Sequence, residues 1–163
     1  MIYKILRDLA QVCAIVLVPG LLAWLFGRPM IFPSLGPSAL AIVLDERGNR
    51  FRQVIGGHLF GALCGLVAYH VLAPGLSLAV LTPALSADGL RIVASGVLSV
   101  GLTSLAVLTT RTTHAPACAT TLIVSLSVLP SILDGTLIMI AVLVMFLSYR
   151  LVRLAWKSDT LSL

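Results

Sequence analysis

The chain has 163 residues, 59% of them hydrophobic and only 10% charged, and its mean hydropathy is +1.09. Soluble domains carry roughly 25% charged and 45–50% apolar residues, so the composition excludes an ordinary soluble fold and describes an integral membrane protein. The net charge of +5 does not indicate nucleic acid, because the basic residues lie in short loops between apolar runs and form no clustered stripe.

Cys13, Cys64 and Cys118 lie inside apolar stretches and make no C-x-x-C pair, which excludes a disulfide framework or a zinc site and implies no cofactor. Lys4 and Arg7 precede an apolar run as in a signal peptide, but the run continues through Trp24 and Phe26 with no A-x-A-like cleavage site. It is read as the first span. No linker divides the chain, so residues 1–163 form a single transmembrane domain.

Leu9 to Phe26 is long enough to span a bilayer, with Pro19-Gly20 expected to kink it. Pro29 to Leu44 is short and holds Pro29, Pro33 and Pro37, and a helix is expected to start near Pro37 and run through Leu44. After a polar loop, Val54 to Ala73 carries Gly57, Gly61 and Gly65 at four-residue spacing. Such a stripe lets helix backbones approach closely in lipid, which predicts a central helix. His58 and His70 lie toward the two ends of this run, as packing histidines or, for His58, as a gate.

Pro74 to Leu90 reads as a loop with little fixed structure. Arg91 opens the next run, Ile92 to Thr109, where Ser95, Ser99 and Thr103 form a second small-residue stripe, and Arg111 closes it. Ala117 to Leu129 is again short, Pro130 to Gly135 turns the chain, and Thr136 to Trp156 is the last long run.

The expected fold is all-α with six membrane segments. They fall into two three-segment repeats, about 9–73 and about 91–156, each with a short proline-interrupted helix. Crossing by both short segments places Lys4, Arg7, Arg47, Arg50, Arg52, Arg111, Arg150, Arg153 and Lys157 on the cytoplasmic side and only Arg28 and Arg91 outside. The positive-inside rule favours that arrangement over re-entrant segments, with both termini cytoplasmic. Three crossings per repeat make the repeats inverted, and interrupted helices in matching positions of inverted repeats point to a transporter site at the midplane.

Unpaired backbone within a bilayer requires a cavity or tight packing around it. Two short helices entering from opposite sides would bring their N-termini together, and a helix N-terminus suits a small anion. Ser34, Ser38 and Thr120 could add hydroxyl groups, and Arg111 and His114 positive character. Asp8, Asp45, Glu46, Asp88, Asp134 and Asp159 all fall in loops or at ends, which argues against a cation carrier built on buried carboxylates. The prolines could equally be packing kinks, and Arg111 a topology signal.

The stretch Thr109-Thr110-Arg111-Thr112-Thr113-His114-Ala115-Pro116-Ala117-Cys118-Ala119-Thr120 resembles the T-R-T-x-H-P-P-A-G-A-T-A signature of the HPP family of integral membrane proteins. Arg52 to Leu59 resembles its P-R-N-x-I-G-G-H-L motif, and Gly36 to Ala39 its G-A-S-A. Ala115 stands where the family has the first proline of its tripeptide, Cys118 where it has glycine, and Pro37 where it has alanine. The resemblance covers roughly Pro29 to Ala155. It implies a small-anion transporter, with nitrite first because plant chloroplast and cyanobacterial members are associated with it.

The residues expected to bind the anion are Ser34, Gly36, Pro37, Ser38, Ala39, Arg111, His114, Pro116, Ala117, Cys118, Ala119 and Thr120, with His58 as gate. The expected setting is a bacterial inner membrane, with lipid and a small inorganic anion as partners and a homo-oligomer as the assembly. A structural or regulatory membrane subunit, and a channel for a neutral solute, are the alternatives. No nucleophile, base and orienting group converge, so no enzyme is expected.

Overall fold

The computed structural model describes residues 2–45 and 51–159, all of whose regular structure is helical. Arg47 and Arg50, counted above as cytoplasmic, lie outside the described residues. The elements are α1 (Ile2–Leu25), a 3₁₀ turn (Pro29–Ile31), α2 (Phe32–Leu44), α3 (Phe51–Leu72), α4 (Ala87–Thr110), α5 (Ala117–Ser125) and α6 (Ile132–Asp159). Helices α1, α3, α4 and α6 are long and apolar enough to cross a membrane. The 13 residues of α2 and nine of α5 reach about 20 and 14 Å at 1.5 Å per residue, less than the roughly 30 Å of hydrocarbon core.

Contacts at the helix ends set the chain direction. The start of α1, the end of α2 and the last turns of α6 line a shared cavity of about 360 Å³ through Lys4, Asp45 and Arg153. At the start of α3, Phe51 meets the Phe146 ring of α6 edge-on at 5.5 Å, and Arg52 donates to the Thr110 carbonyl that ends α4. At the opposite end Arg28 pairs with Asp134 at 3.0 Å, Arg91 donates to the Leu72 carbonyl, and Leu78 N–H donates to the Leu126 carbonyl. Among the described residues the six α-helices thus run back and forth between these two ends, with α2 and α5 as the short passages.

The packing turns polar residues inward and apolar ones outward. Helix α4 buries Ser95, Ser99 and Thr103 and exposes Val93, Val97, Leu105 and Leu108. Helix α3 buries its glycine stripe against α5: a Cβ on Gly61 would lie 2.6 Å from the Ala117 carbonyl oxygen, and one on Gly65 2.8 Å from that of Thr121. Only hydrogen fits there, so α3 and α5 touch backbone to backbone. Both small-residue stripes are therefore occupied within the chain. An apolar core of Leu35, Ile42, Val54, Val124, Ile138, Val142 and Met145 joins α2, α3, α5 and α6.

Three helices end in the same way. Gly27 follows α1 at φ +63°, with Gly27 N–H donating to Trp24 and Arg28 N–H to Ala23. Arg111 follows α4 at φ +56°, with Arg111 N–H donating to Leu108 and Thr112 N–H to Val107; Ser127 after α5 repeats the pattern. This is the Schellman C-cap, normally built on glycine.

Some boundaries differ from the sequence expectation. Helix α2 starts at Phe32 rather than near Pro37, because Pro33 occupies the first turn, where no N–H is needed, and Pro37 sits inside the helix. Its N-terminus accordingly lies close to Arg28. Helix α4 starts at Ala87, where Ser86 caps it by accepting from Gly89 N–H. The preceding loop has fixed bonds: Gly75 N–H to the Tyr69 hydroxyl, and Ser77 Oγ to the Ser127 carbonyl. Asp134 is no loop residue. It lies buried in the first turn of α6, bonded to Ser131 as well as Arg28.

Candidate functional site

Helix α5 lies between α2, α3 and α4, and a seam of fully buried polar side chains surrounds it. On the α4 side, Ser95 donates to the Ser125 carbonyl at 2.9 Å, Ser99 to the Ser125 hydroxyl at 2.9 Å, and Thr103 meets Thr121 at 2.7 Å. Thr121 also lies 2.6 Å from the Gly61 carbonyl. Since one hydroxyl has one proton, Thr121 donates to Gly61 and accepts from Thr103. The glycine stripe makes this possible by bringing the α3 carbonyl within reach.

On the other side His58, fully buried, joins both short helices. Its Nε2 lies 2.9 Å from Ser38 Oγ on α2 and its Nδ1 2.6 Å from Thr120 Oγ1 on α5. Ser38 donates its proton to the Ser34 carbonyl at 2.7 Å, so His58 Nε2 must be the donor to Ser38. In a neutral ring, Nδ1 then accepts from Thr120. Every polar atom of this chain from Thr120 to Ser34 is satisfied.

His114 is different. It precedes α5 with its ring centroid 5.2 Å from that of His58. It is 5% exposed, and its buried Nε2 meets no hydrogen-bond partner among the described residues. An unsatisfied buried polar atom costs about 1–3 kcal/mol and calls for an explanation. Gly57 makes the position possible, since a Cβ there would lie 3.0 Å from His114 Cβ.

The expected site residues divide. Ser38, His58, His114, Ala117 and Thr120 come together, and Ser34 and Ala39 are buried beside them on α2. Arg111 is exposed as the cap of α4, Pro37 is exposed, and Gly36 faces open space. Pro116, Cys118 and Ala119 are half-buried. The first N–H groups of α5 are already engaged, Ala117 by His114 O, Cys118 by Ala115 O and Ala119 by Pro116 O. Side-chain nitrogen, rather than free backbone N–H, is the unmet donor or acceptor here.

Sequence reasoning read His58 as a packing histidine or a gate, and the bonds on both ring nitrogens fit the packing part; it did not foresee the partners Ser38 and Thr120. It also missed the Arg28 and Asp134 pair, for which the Ser131-x-x-Asp134 spacing is a helix-start signature.

Long apolar helices around an inward-facing polar seam define an integral membrane protein. The family model described as HPP, transmembrane region, matches residues 2–161, and the chain belongs to that family. No curated protein and no solved structure matches it.

Proposed function

We propose that the protein carries a small monovalent anion across the membrane, with nitrite the first candidate. The observation that carries this reading is the buried, unpartnered Nε2 of His114 at the head of α5. A protonated imidazole and a helix N-terminus both favour negative charge. Neither α2, α3 nor α5 contains an Asp or Glu, so no fixed carboxylate competes with the anion. The site is the buried cluster of Ser38, His58, His114, Ala117 and Thr120, with Arg111 on the approach. The chain acts as a transporter and not as an enzyme.

The six passages count as six membrane segments in two inverted repeats, α1-α2-α3 and α4-α5-α6. The packing supports this. Exchanging α1 with α4, α2 with α5 and α3 with α6 turns each major packed pair into another: α3 on α5 into α6 on α2, α3 on α4 into α6 on α1, and α4 on α5 into α1 on α2. The pairs α3 with α6 and α2 with α5 map onto themselves. With the bases counted above, both termini face the cytoplasm of a bacterial inner membrane.

Uptake of nitrite into proteoliposomes, compared with protein-free vesicles, tests the reading. Flux that falls in His114→Ala supports it. Absence of flux for nitrite, nitrate and chloride alike sinks it in favour of a structural subunit.

A further inference from the structure

Among the described residues, no charged side chain is buried beside His114 to accompany an arriving anion. Helix α2 carries no titratable side chain. Helix α3 offers His58 within the seam, Arg52 at its start, held by the Thr110 carbonyl, and Cys64, Tyr69 and His70 farther along. Helix α4 ends at the exposed Arg111, with Asp88 at its opposite end paired to Arg91. Helix α5 carries only Cys118, and α6, which packs on α3 and α2, holds Asp134 in the distant pair with Arg28 and, toward its other end, Tyr149, Arg150, Arg153, Lys157 and Asp159.

His58 is committed. Its Nε2–H goes to Ser38, whose own proton goes to Ser34, and its Nδ1 is taken by Thr120. His114 has the spare nitrogen. A proton added there is compensated in this enclosure only by the anion, and the anion only by that proton, so each raises the other's affinity by the same factor.

We propose that His114, positioned beside His58, binds one proton with each anion, so that the protein moves the two as a neutral pair. This rests on the anion-carrier reading above. A proton from the entry side adds to the unprotonated ring nitrogen of His114, giving an imidazolium whose Nε2–H donates to the bound anion. On the exit side the proton leaves the ring for water and the anion follows. No covalent bond other than that ring N–H forms or breaks. The His58 chain, running from Thr120 on α5 to Ser34 on α2, joins the two short helices beside the occupied ring.

The test uses the full chain in proteoliposomes with an entrapped pH dye and a membrane potential clamped by potassium and valinomycin. Nitrite is the probe, and protein-free vesicles set the background of nitrous acid leak. The expected result is internal acidification of about one proton per nitrite carried, with uptake unchanged by potential. An acidic exterior speeds uptake several-fold, and His114→Gln, which keeps a polar side chain but cannot take the proton, abolishes the acidification. Uptake driven by inside-positive potential without proton movement overturns the inference and leaves the anion reading standing. No uptake of nitrite, nitrate or chloride overturns both.

Discussion

The rings of His58 and His114 lie 5.2 Å apart, yet His58 has both nitrogens bonded while His114 leaves its Nε2 bare. One is bonded into the fold and the other leaves a buried polar atom unmet. The two are therefore separable by substitution.

His114→Leu removes a buried group that has no partner, so its stability in detergent is expected to hold or rise, by up to about 1–3 kcal/mol, while nitrite uptake is lost. His58→Leu strands the Thr120 hydroxyl and is expected to lose stability by a similar amount. Thermal unfolding and uptake measured on both variants check this. Destabilised His114→Leu with intact uptake would reverse the assignment.

Gly61→Ala places a methyl 2.6 Å from a backbone oxygen of α5, which cannot move as a side chain could. Forced overpacking of this kind costs about 1–3 kcal/mol. Gly36→Ala, with nothing within 4 Å of the new methyl, is the control and should be neutral or slightly stabilising in the same melt.

Arg111 combines a left-handed backbone with a positive charge. Arg111→Gly relieves the backbone by about 0.5–1 kcal/mol, whereas Arg111→Ala retains the strain. If the charge gathers anions at the approach, both variants slow uptake equally despite their different stabilities. Uptake that follows stability instead would make Arg111 a helix cap alone.

Asp134→Ala removes the carboxylate that accepts from Ser131 and pairs with Arg28, while the N–H of residue 134 still donates to Ser131 Oγ, and is expected to cost about 1–3 kcal/mol. Arg28→Ala alone should cost as much or less, because Arg28 is about half exposed. A double-mutant cycle by thermal unfolding gives the coupling; a value near zero would mean that the pair does not clamp α1 to α6.

For the topology, single cysteines at Gly27 and Asp45, in a background without Cys13, Cys64 and Cys118, should react with an impermeant thiol reagent from opposite faces of the membrane. The same reagent should reach Ala84→Cys from the Gly27 face. Labelling of Gly27 and Asp45 from one face would make α2 re-entrant.

Features that repeat along one helix face were legible in the sequence. The glycines at 57, 61 and 65 implied close approach and found α5. The run Ser95, Ser99 and Thr103 marked the face of α4 that meets it. The start of α2 was misread because prolines were taken as barriers one by one, although Pro33 in a first turn and a single missing bond at Pro37 leave the helix intact. The parts of His58, Asp134 and Arg28 were hidden for another reason. Their partners lie 62 and 106 residues away, and local spacing carries no information about which distant hydroxyl or guanidinium will arrive.

The shortness of α5 also bears on how the protein is made. Nine residues are too few for lipid alone to retain, and most of them face protein rather than bilayer. The segment can settle only into a groove that α3 and α4 have already formed. As the chain emerges, α3 and α4 precede it and α6 follows to close the bundle. The order of synthesis is thus the order in which the polar seam can be assembled without exposing its hydroxyls to hydrocarbon.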